Sequence, residues 1–336
     1  MTLGRNDEGV DLHDVNSLSG DEQTLAGISR HGRTRTAKAK ELLVELWHDR
    51  AGFIGVCFLS MLVITAVFAP LVAPHNPRQQ DLVNRLQPPV WSDGGDWSFP
   101  LGTDGLGRDV LSRLIFGSRV SIFVGLAVLA IAGLVGVILG VLAGYRGGFT
   151  DRFIMRLVDT QVAFPGLLIA ILLAAMIGPS VRTVVIVLSI NGWMIYARMA
   201  RGVVLSVKET DYVEAAEIIG CKPNRVMWRH IFPNLAAPLT TLAVLEFARI
   251  VLAEAALSFL GVGVKRTDLS WGLDVASGQE QIFNSWWLVV MPGVLISLTV
   301  LSVSLVASWL RVVADPQERE KKYGATQIRR HIKDNG

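Results

Sequence analysis

Residues 211–234 read DYVEAAEIIGCKPNRVMWRHIFPN, a polar stretch that separates two apolar runs of membrane-spanning length, at about 183–199 and 236–258. A charged segment between two spans cannot be buried in lipid, because its polar groups would lose their hydrogen bonds with water. Its surface must therefore face an aqueous compartment. This arrangement predicts a membrane protein that presents a folded polar loop to water.

Capping signals divide this loop into two helices. Asp211 and Glu214 have the spacing of a capping box, in which two side chains satisfy free backbone N–H groups. Gly220 stands where a glycine commonly ends a helix. Pro223 suits the first turn of a second helix, and Pro233 is expected to end it. The sequence therefore predicts two short helices joined by a turn.

The loop allows two interpretations. Its helices can form a docking segment for a partner protein, or they can lie on the membrane surface as amphipathic helices. The apolar residues that suit either role are Val213, Ile218, Ile219, Val226, Met227 and Trp228. The residue pattern alone favours neither interpretation.

The composition places the whole chain in the membrane class. Hydrophobic residues make up 51% of the 336 residues and charged residues 18%, below the roughly 25% of soluble domains, and the mean hydropathy is +0.43. The two cysteines, Cys57 and Cys221, are far apart and lack the spacing of metal ligands, so we expect free thiols and no metal site. A net charge of +3 without a basic patch gives no reason to expect nucleic-acid binding.

Apolar runs of about 20 residues are long enough to cross a hydrocarbon core about 30 Å thick. The sequence contains six such runs, all within a domain predicted at 41–316. They predict an all-α, polytopic protein with six transmembrane helices. The predicted spans are about 52–72, 120–145, 160–177, 183–199, 236–258 and 287–310.

The distribution of Lys and Arg predicts the orientation of these spans. Of the 32 basic residues, 23 lie in or beside the two tails, the loop after the second span and the loop at 200–235. The opposite loops, including the long one at 73–119, hold eight, and Arg249 lies inside the fifth span. Cytoplasmic segments carry the excess of Lys and Arg, so both termini and the 200–235 loop are expected in the cytoplasm. The tails at 1–40 and 317–336 are polar, and the first is expected to be disordered.

The polar loop resembles a known motif. The strings YVEAA at 212–216 and HIFPN at 230–234, with Gly220 between them, resemble the EAA loop of inner-membrane permease subunits of ABC importers. In that family the loop forms coupling helices that insert into a cleft of a cytoplasmic ATPase. The resemblance favours the docking interpretation. The residues that it implies for ATPase coupling are Glu214, Ala215, Ala216, Gly220, His230, Phe232 and Pro233.

A second motif lies in the loop at 73–119, which is expected to be external. The string LGTDGLGRDVLSR at 101–113 resembles the LGTDxxGRD signature of the dipeptide, oligopeptide and nickel branch of these permeases. Without the resemblance, the same string indicates a structured loop in which Asp104, Arg108 and Asp109 pair with one another. It is no nucleotide-binding fingerprint, because no strand precedes it and no GxGxxG follows.

Further strings resemble elements of the same family. They are DTQVAFP at 159–165, NGW at 191–193, YAR at 196–198, EAALSFLGVG at 254–263 and SWG at 270–272. The chain is therefore identified as a member of the type I ABC importer permeases, as the second, C-type, permease subunit. Polar groups inside spans are candidates for the translocation pathway or its gate, and here they are Asp159, Asn191 and Glu254. The alternative for Glu254 is that it holds a neighbouring span by hydrogen bonds.

Two patterns inside the spans concern charge and packing. Glu246 and Arg249 are three residues apart in the fifth span, so they share a helix face and can pair, which reduces the cost of charge in the membrane. Gly136, Gly140 and Gly144 repeat every four residues in the second span, which predicts the close approach of another helix.

The sequence lacks catalytic motifs. It contains no Gly-Lys-Ser/Thr phosphate loop and no Gly-x-Ser-x-Gly or His-Glu-x-x-His string. The resemblance implies a non-catalytic subunit without a cofactor of its own, whose partners are two cytoplasmic ABC ATPase subunits that bind ATP and Mg²⁺. It also implies a heterodimer with a second permease, an extracytoplasmic solute-binding protein, and a place in the plasma (inner) membrane of a prokaryote.

The branch signature favours di- and oligopeptides as the transported substrate, with nickel or another small solute as the alternative. Two other classes of protein remain. An ion-driven secondary transporter would explain the spans but not the polar loop, and inverted repeats are not evident. A membrane scaffold would explain the loop without a pathway.

Overall fold

The computed structural model describes residues 46–47 and 49–314, and this part of the chain contains no β-strand. An isolated bridge pairs Thr103 with Asp109. The predicted all-α class is confirmed. The tails predicted at 1–40 and 317–336 lie outside the described residues. The chain divides into units at residues 1–50 and 51–336, and the helices belong to the second unit apart from the first residue of the first helix.

The described part is built from long helices and short connecting ones. They are α1 (Arg50–Val67), α2 (Ala69–Val72), α3 (Val110–Arg146), α4 (Gly148–Val162), α5 (Gly166–Ile177), α6 (Val181–Lys208), α7 (Asp211–Ile218), α8 (Pro223–Val226), α9 (Phe232–Phe259), α10 (Trp271–Gly278) and α11 (Trp287–Ala314). A π-helical turn at Met227–Ile231 joins α8 to α9, and 3-10 turns occur at Leu82–Asn84 and Gln279–Gln281.

Five of these helices are long and apolar enough to cross a membrane: α1, α3, α6, α9 with the turn before it, and α11. The pair α4 and α5 makes a sixth if the two are counted as one broken span. The polytopic, six-span class is therefore confirmed. Helix α3 begins ten residues before the predicted span at 120–145, because Asp109 caps it in the polar part of the sequence. The helix is therefore longer than the apolar run from which the span was predicted.

The third span differs from its prediction. The sequence predicts one helix at 160–177, whereas α4 ends at Val162, α5 begins at Gly166, and the two axes meet at 85°. Pro165 is the physical reason, since it has no N–H and disfavours helical geometry in the residue before it. Its own backbone is extended, with ψ of 112°, and it stands at the start of α5.

The end predicted for the second loop helix was wrong. Pro233 does not end that helix, because the chain continues from α8 through the π-helical turn into α9 without a break. In that turn the Phe232 N–H donates to the carbonyl of Met227, five residues earlier. Such a wider turn accommodates the missing N–H and the ring of Pro233 at the start of α9. The first loop helix, α7, also begins one residue earlier than predicted. Asp211, the predicted cap, is already helical, and the carbonyl of Thr210 accepts from the Val213 N–H at 3.0 Å.

Helices α3 and α6 pack closely along a glycine face. A Cβ built on Gly136, Gly140 or Gly144 would lie within 2.3 to 2.9 Å of atoms of α6. At Gly136 and Gly140 the nearest atoms are the carbonyl oxygens of Trp193 and Ala197, so backbone meets backbone. The glycines therefore allow the close approach that their spacing predicts.

Two buried clusters mark the two ends of the helices. At one end, the beginning of α3 packs with α10 and the beginning of α11, and its largest members are Leu114, Trp271 and Trp287. At the other end, the ends of α3 and α6 pack with α7, α8 and the beginning of α9. Each cluster supports one of the two polar regions that contain the family motifs.

Candidate functional site

The segment at 211–234, called the docking segment below, is held against the ends of α3 and α6 by a row of small apolar residues. Val213 and Val226 are fully buried, and Ala216 is nearly so. They pack with Val204 and Val207 of α6. One part of the apolar surface of the segment, at Val213, Ala216 and Val226, therefore faces the protein, and this contact fixes the position of α7 relative to two spans.

The docking segment also exposes large apolar side chains. Ile218 and Ile219 are 78% and 79% exposed, and Trp228 is 67% exposed. Trp228 lies against Phe232, with ring centroids 4.8 Å apart. Large apolar side chains exposed on a polar segment are typical of a contact site for another molecule.

The residues of the EAA resemblance lie together on this segment. Glu214 and Ala215 are exposed, whereas Ala216 points into the cluster beneath. Gly220 has φ of +80°, a left-handed geometry that favours glycine, and the Cys221 N–H donates to the carbonyl of Ala216 at 3.0 Å. This pairing is that of a glycine-terminated helix end.

The second half of the motif stands beside the first. The ring of His230 lies 5.8 Å from that of Tyr212, and Asn234 donates its side-chain N–H to the carbonyl of His230 at 2.6 Å. Pro233 is exposed at the beginning of α9. The two strings quoted from the sequence thus form one surface.

The loop at 73–119 is ordered by its carboxylates. Asp104 accepts from the backbone N–H of Leu106 and of Arg108, and its other oxygen accepts from Arg108 Nε at 2.7 Å. The predicted pairing of Asp104 with Arg108 is therefore present. Asp109 does not join it, because its carboxylate accepts from the Ser112 N–H at 3.0 Å and caps α3.

A buried ion pair joins this loop to the region before the last span. Arg113 Nε donates to the carboxylate of Asp274 in α10 at 2.9 Å, and its Nη2 also contacts that oxygen. Both side chains are about nine-tenths buried or more, and Asp104 lies 3.7 Å from the same guanidinium. Burial raises the pKa of the Asp274 carboxyl, and the Arg113 guanidinium opposes that shift. Sequence reasoning missed this pair because 161 residues separate its members.

Glu254 is fully enclosed by protein. Its carboxylate accepts from the hydroxyls of Ser121, Ser258 and Ser270 at 3.0, 2.9 and 2.7 Å. These serines belong to α3, to α9 itself and to the residue before α10. The contacts match the alternative in which Glu254 holds neighbouring elements together, and they place it away from any open surface of this conformation.

The other two candidates for the pathway lie near the broken span. Asp159 of α4 forms an exposed ion pair with Arg198 of α6 at 2.9 Å. Asn191 of α6 donates its side-chain N–H to the carbonyl of Gly166 at 3.0 Å and so holds the beginning of α5. Asp159 is exposed on the surface of this chain, whereas Asn191 acts here as a link between helices. Within the described residues no cluster of His, Cys, Asp and Glu has the geometry of a metal site.

These features define a multi-pass α-helical membrane protein with a folded polar segment, residues 211–234, between two of its spans. Residues 136–320 match the family described as "Binding-protein-dependent transport system inner membrane component", and residues 40–89 match the "N-terminal TM domain of oligopeptide transport permease C". The chain belongs to this family of transport permeases, and the resemblance to ABC importer permeases of the dipeptide and oligopeptide branch is confirmed.

Curated relatives match over most of their length. The chain is 40% identical over 279 residues to the di/tripeptide transport system permease protein DppC of Pseudomonas aeruginosa, covering 82% of this chain and 92% of the relative. It is 39% identical over 282 residues to the dipeptide transport system permease protein DppC of Escherichia coli K12, covering 83% and 94%. A solved structure of the MetNI methionine ABC transporter in an inward-facing conformation is similar over 59% of this chain and 96% of its own, with 15% identity and a TM-score of 0.48.

Proposed function

We propose that this chain is one of the two permease subunits of an ABC importer for di- and oligopeptides, in the plasma (inner) membrane of a prokaryote. The curated relatives that support a peptide substrate are named as di/tripeptide and dipeptide transport permeases. Nickel or another small solute is the alternative substrate. The chain itself supplies half of the translocation pathway and no catalytic group.

The observation that carries the proposal is the exposed apolar surface of the docking segment. Ile218, Ile219 and Trp228 would each leave a large apolar area in water, which is unfavourable by about 25 cal/mol for each Å². A cytoplasmic ATPase subunit with an apolar cleft would cover them. Two such subunits would bind ATP and Mg²⁺, one against this chain and one against the second permease.

The proposed orientation puts the docking segment in the cytoplasm. It follows from the excess of Lys and Arg on that side, including Arg225 and Arg229 within the segment. Both termini lie on the same side in this orientation. The loop at 73–119 and helix α10 then face the opposite compartment, where a solute-binding protein would deliver the peptide.

The geometry supports a mechanical role for the docking segment in transport. Since α8, the π-helical turn and α9 are continuous, movement of the segment by a closing ATPase would move the fifth span with it as a rigid body. Exposed Glu214 offers the charged contact, and exposed Ala215 allows the partner to approach closely. Gly220 ends α7 and so sets the angle between α7 and α8.

The first experiment tests partners and activity together. The subunit is purified from its native membrane in mild detergent, its companions are identified by mass spectrometry, and the complex is reconstituted for uptake of radiolabelled tripeptide. The proposal predicts two ATPase subunits, a second permease and uptake that requires ATP and the binding protein. Uptake driven by an ion gradient alone, or a subunit that purifies without an ATPase, would refute it.

A matched pair of variants tests the docking surface itself. Replacing Ile218 and Ile219 together with Ser should release the ATPase subunits, because both side chains lie on the surface proposed to enter the cleft. Phe283 is 98% exposed in the connection between α10 and α11, so Phe283→Ser removes a comparable apolar group elsewhere. That control should purify with its ATPases in full. Equal retention in all three proteins would contradict the assigned surface.

A further inference from the structure

An arginine inside the fifth span is exposed on the surface of this subunit. Arg249 lies in α9, ten residues before its end at Phe259, which is about 15 Å along the helix axis at about 1.5 Å per residue. Its side chain is 54% exposed, although the surrounding sequence is apolar. The neighbouring exposed residues of the same helix face are Leu245 and Leu252, which are uncharged.

Glu246 holds this arginine in a defined orientation. Its carboxylate oxygen Oε2 accepts from Arg249 Nε at 2.9 Å and lies 2.7 Å from Nη2. The Glu246 side chain is only 9% exposed, so the fixed end of the pair is inside the protein. The pair involves Nε and Nη2, which leaves Nη1 on the other side of the guanidinium for a second acceptor.

The exposed face that contains Arg249 is unsuited to lipid. A charged side chain in the hydrocarbon region is costly, so such residues face a water-filled cavity or another polar group. Tyr196 of α6 brings a further polar group into the same part of the protein. Its buried hydroxyl has no hydrogen-bond partner among the described residues. A carboxylate could accept a hydrogen bond from the side of the Arg249 guanidinium that Glu246 does not occupy.

We propose that Arg249 lines the translocation pathway and binds the C-terminal carboxylate of the transported peptide, with Glu246 as its positioning residue. This inference rests on the proposed peptide-importer function. A guanidinium binds a carboxylate through charge-assisted hydrogen bonds, which are about twice as strong as neutral ones. Every unmodified linear peptide carries that carboxylate whatever its sequence, so one arginine serves substrates with different side chains.

The first test measures whether position 249 faces water in the assembled importer. Cys57 and Cys221 are the only cysteines of the sequence, and replacing both with Ala gives a background without thiols. Arg249→Cys is introduced there together with Glu246→Gln, so that no buried carboxylate loses its partner. A membrane-impermeant thiol reagent should label this cysteine in the purified complex, and excess tripeptide should slow the labelling.

The second test measures recognition of the carboxylate. Uptake of a tripeptide is compared with uptake of its C-terminal amide, with one binding protein throughout, so that the preference of the binding protein cancels between variants. The double variant Glu246→Gln with Arg249→Gln should lower the preference for the free acid about tenfold, as expected from the loss of one charge-assisted contact. Glu246→Gln alone keeps the guanidinium but weakens the contact that orients it, so it should lower the preference by less than the double variant does. Arg119→Gln removes an exposed arginine that stacks on Phe116 outside the span, and should change nothing.

The outcomes separate this inference from the function on which it rests. The role of Arg249 is supported if tripeptide slows the labelling of the cysteine at position 249 and the double variant loses its preference for the free acid over the amide. Unchanged preference in the double variant would overturn it, and so would an unlabelled cysteine, which would place Arg249 against the second permease. If the unaltered complex transports neither peptide, the peptide-importer function is itself refuted, and the inference falls with it.

Discussion

The close contact between α3 and α6 can be tested by adding a single methyl group at Gly140. A Cβ at this position would lie 2.3 Å from the carbonyl oxygen of Ala197 and 2.9 Å from its Cα. Ordinary van der Waals contact begins at 3.4 Å, so Gly140→Ala requires the helices to separate locally by about 1 Å. The atoms in the way are backbone, which cannot rotate aside as a flexible side chain could.

The expected loss of stability follows from two opposing effects. Overpacking of this kind costs typically about 1–3 kcal/mol. Replacing glycine with alanine inside a helix returns about 0.5–1 kcal/mol, because the unfolded chain loses freedom. The net change for Gly140→Ala is therefore a destabilisation of up to about 2.5 kcal/mol, with a central value near 1 kcal/mol that corresponds to roughly 2–4 °C in the midpoint of thermal unfolding.

Gly133→Ala is the matched control on the same helix. Its added Cβ would meet only the ring of Tyr196, at 3.8 Å, so it gains helix propensity without a clash. Both variants are purified in the same detergent and unfolded by heat while tryptophan fluorescence is recorded. Gly140→Ala should unfold below the unaltered protein and Gly133→Ala at or above it. Equal midpoints for the two variants would refute the view that backbone contact between α3 and α6 stabilises the fold.

Three further predictions concern the turn, the enclosed carboxylate and the buried ion pair. Gly220→Ala forces a side chain into a left-handed conformation and should cost about 1 kcal/mol while lowering the ATP-dependent uptake rate; Gly202→Ala, in a helix with open space around it, should leave uptake unchanged. Glu254→Leu removes the acceptor of three hydroxyls and should lower stability by about 2–3 kcal/mol, whereas Glu254→Gln keeps an acceptor and should cost less than about 1 kcal/mol in the same thermal assay. Arg113→Met leaves the buried Asp274 unpaired and should cost about 3–5 kcal/mol; adding Asp274→Leu should restore most of that stability, and a double variant as unstable as the single one would contradict the pairing.

Much of the fold could be predicted from apolar length and turn chemistry. The spans are visible as runs of about 20 apolar residues because each residue of a span must be compatible with the hydrocarbon core of the membrane. Hydropathy averaged over such a run does not show local breaks. The run that contains Pro165 therefore looks continuous in the sequence, although the structure divides it into two helices. At Pro233 the opposite error occurs, since a proline that ordinarily ends a helix is accommodated by a π-helical turn.

The candidate site was predicted unevenly for a similar reason. Local strings identified the docking segment and the Asp104–Arg108 pair, because their residues are close in sequence. The partners of Glu254 and Arg113 come from helices far along the chain, and no spacing rule connects them. The exposure of Arg249 likewise depends on how α9 is rotated against its neighbours, which only packing determines.

The helical path from Pro223 to Phe259 is continuous, and this limits the insertions and deletions that the protein can tolerate. It contains 37 residues and extends for about 55 Å, without a loop in which an extra residue could be taken up. One inserted residue between the docking segment and Arg249 would rotate everything beyond it by about 100° and shift it by about 1.5 Å. Glu254 would then turn away from its serines and Arg249 toward a different neighbour. The length of this stretch is therefore fixed, and insertions are expected in the turns outside it.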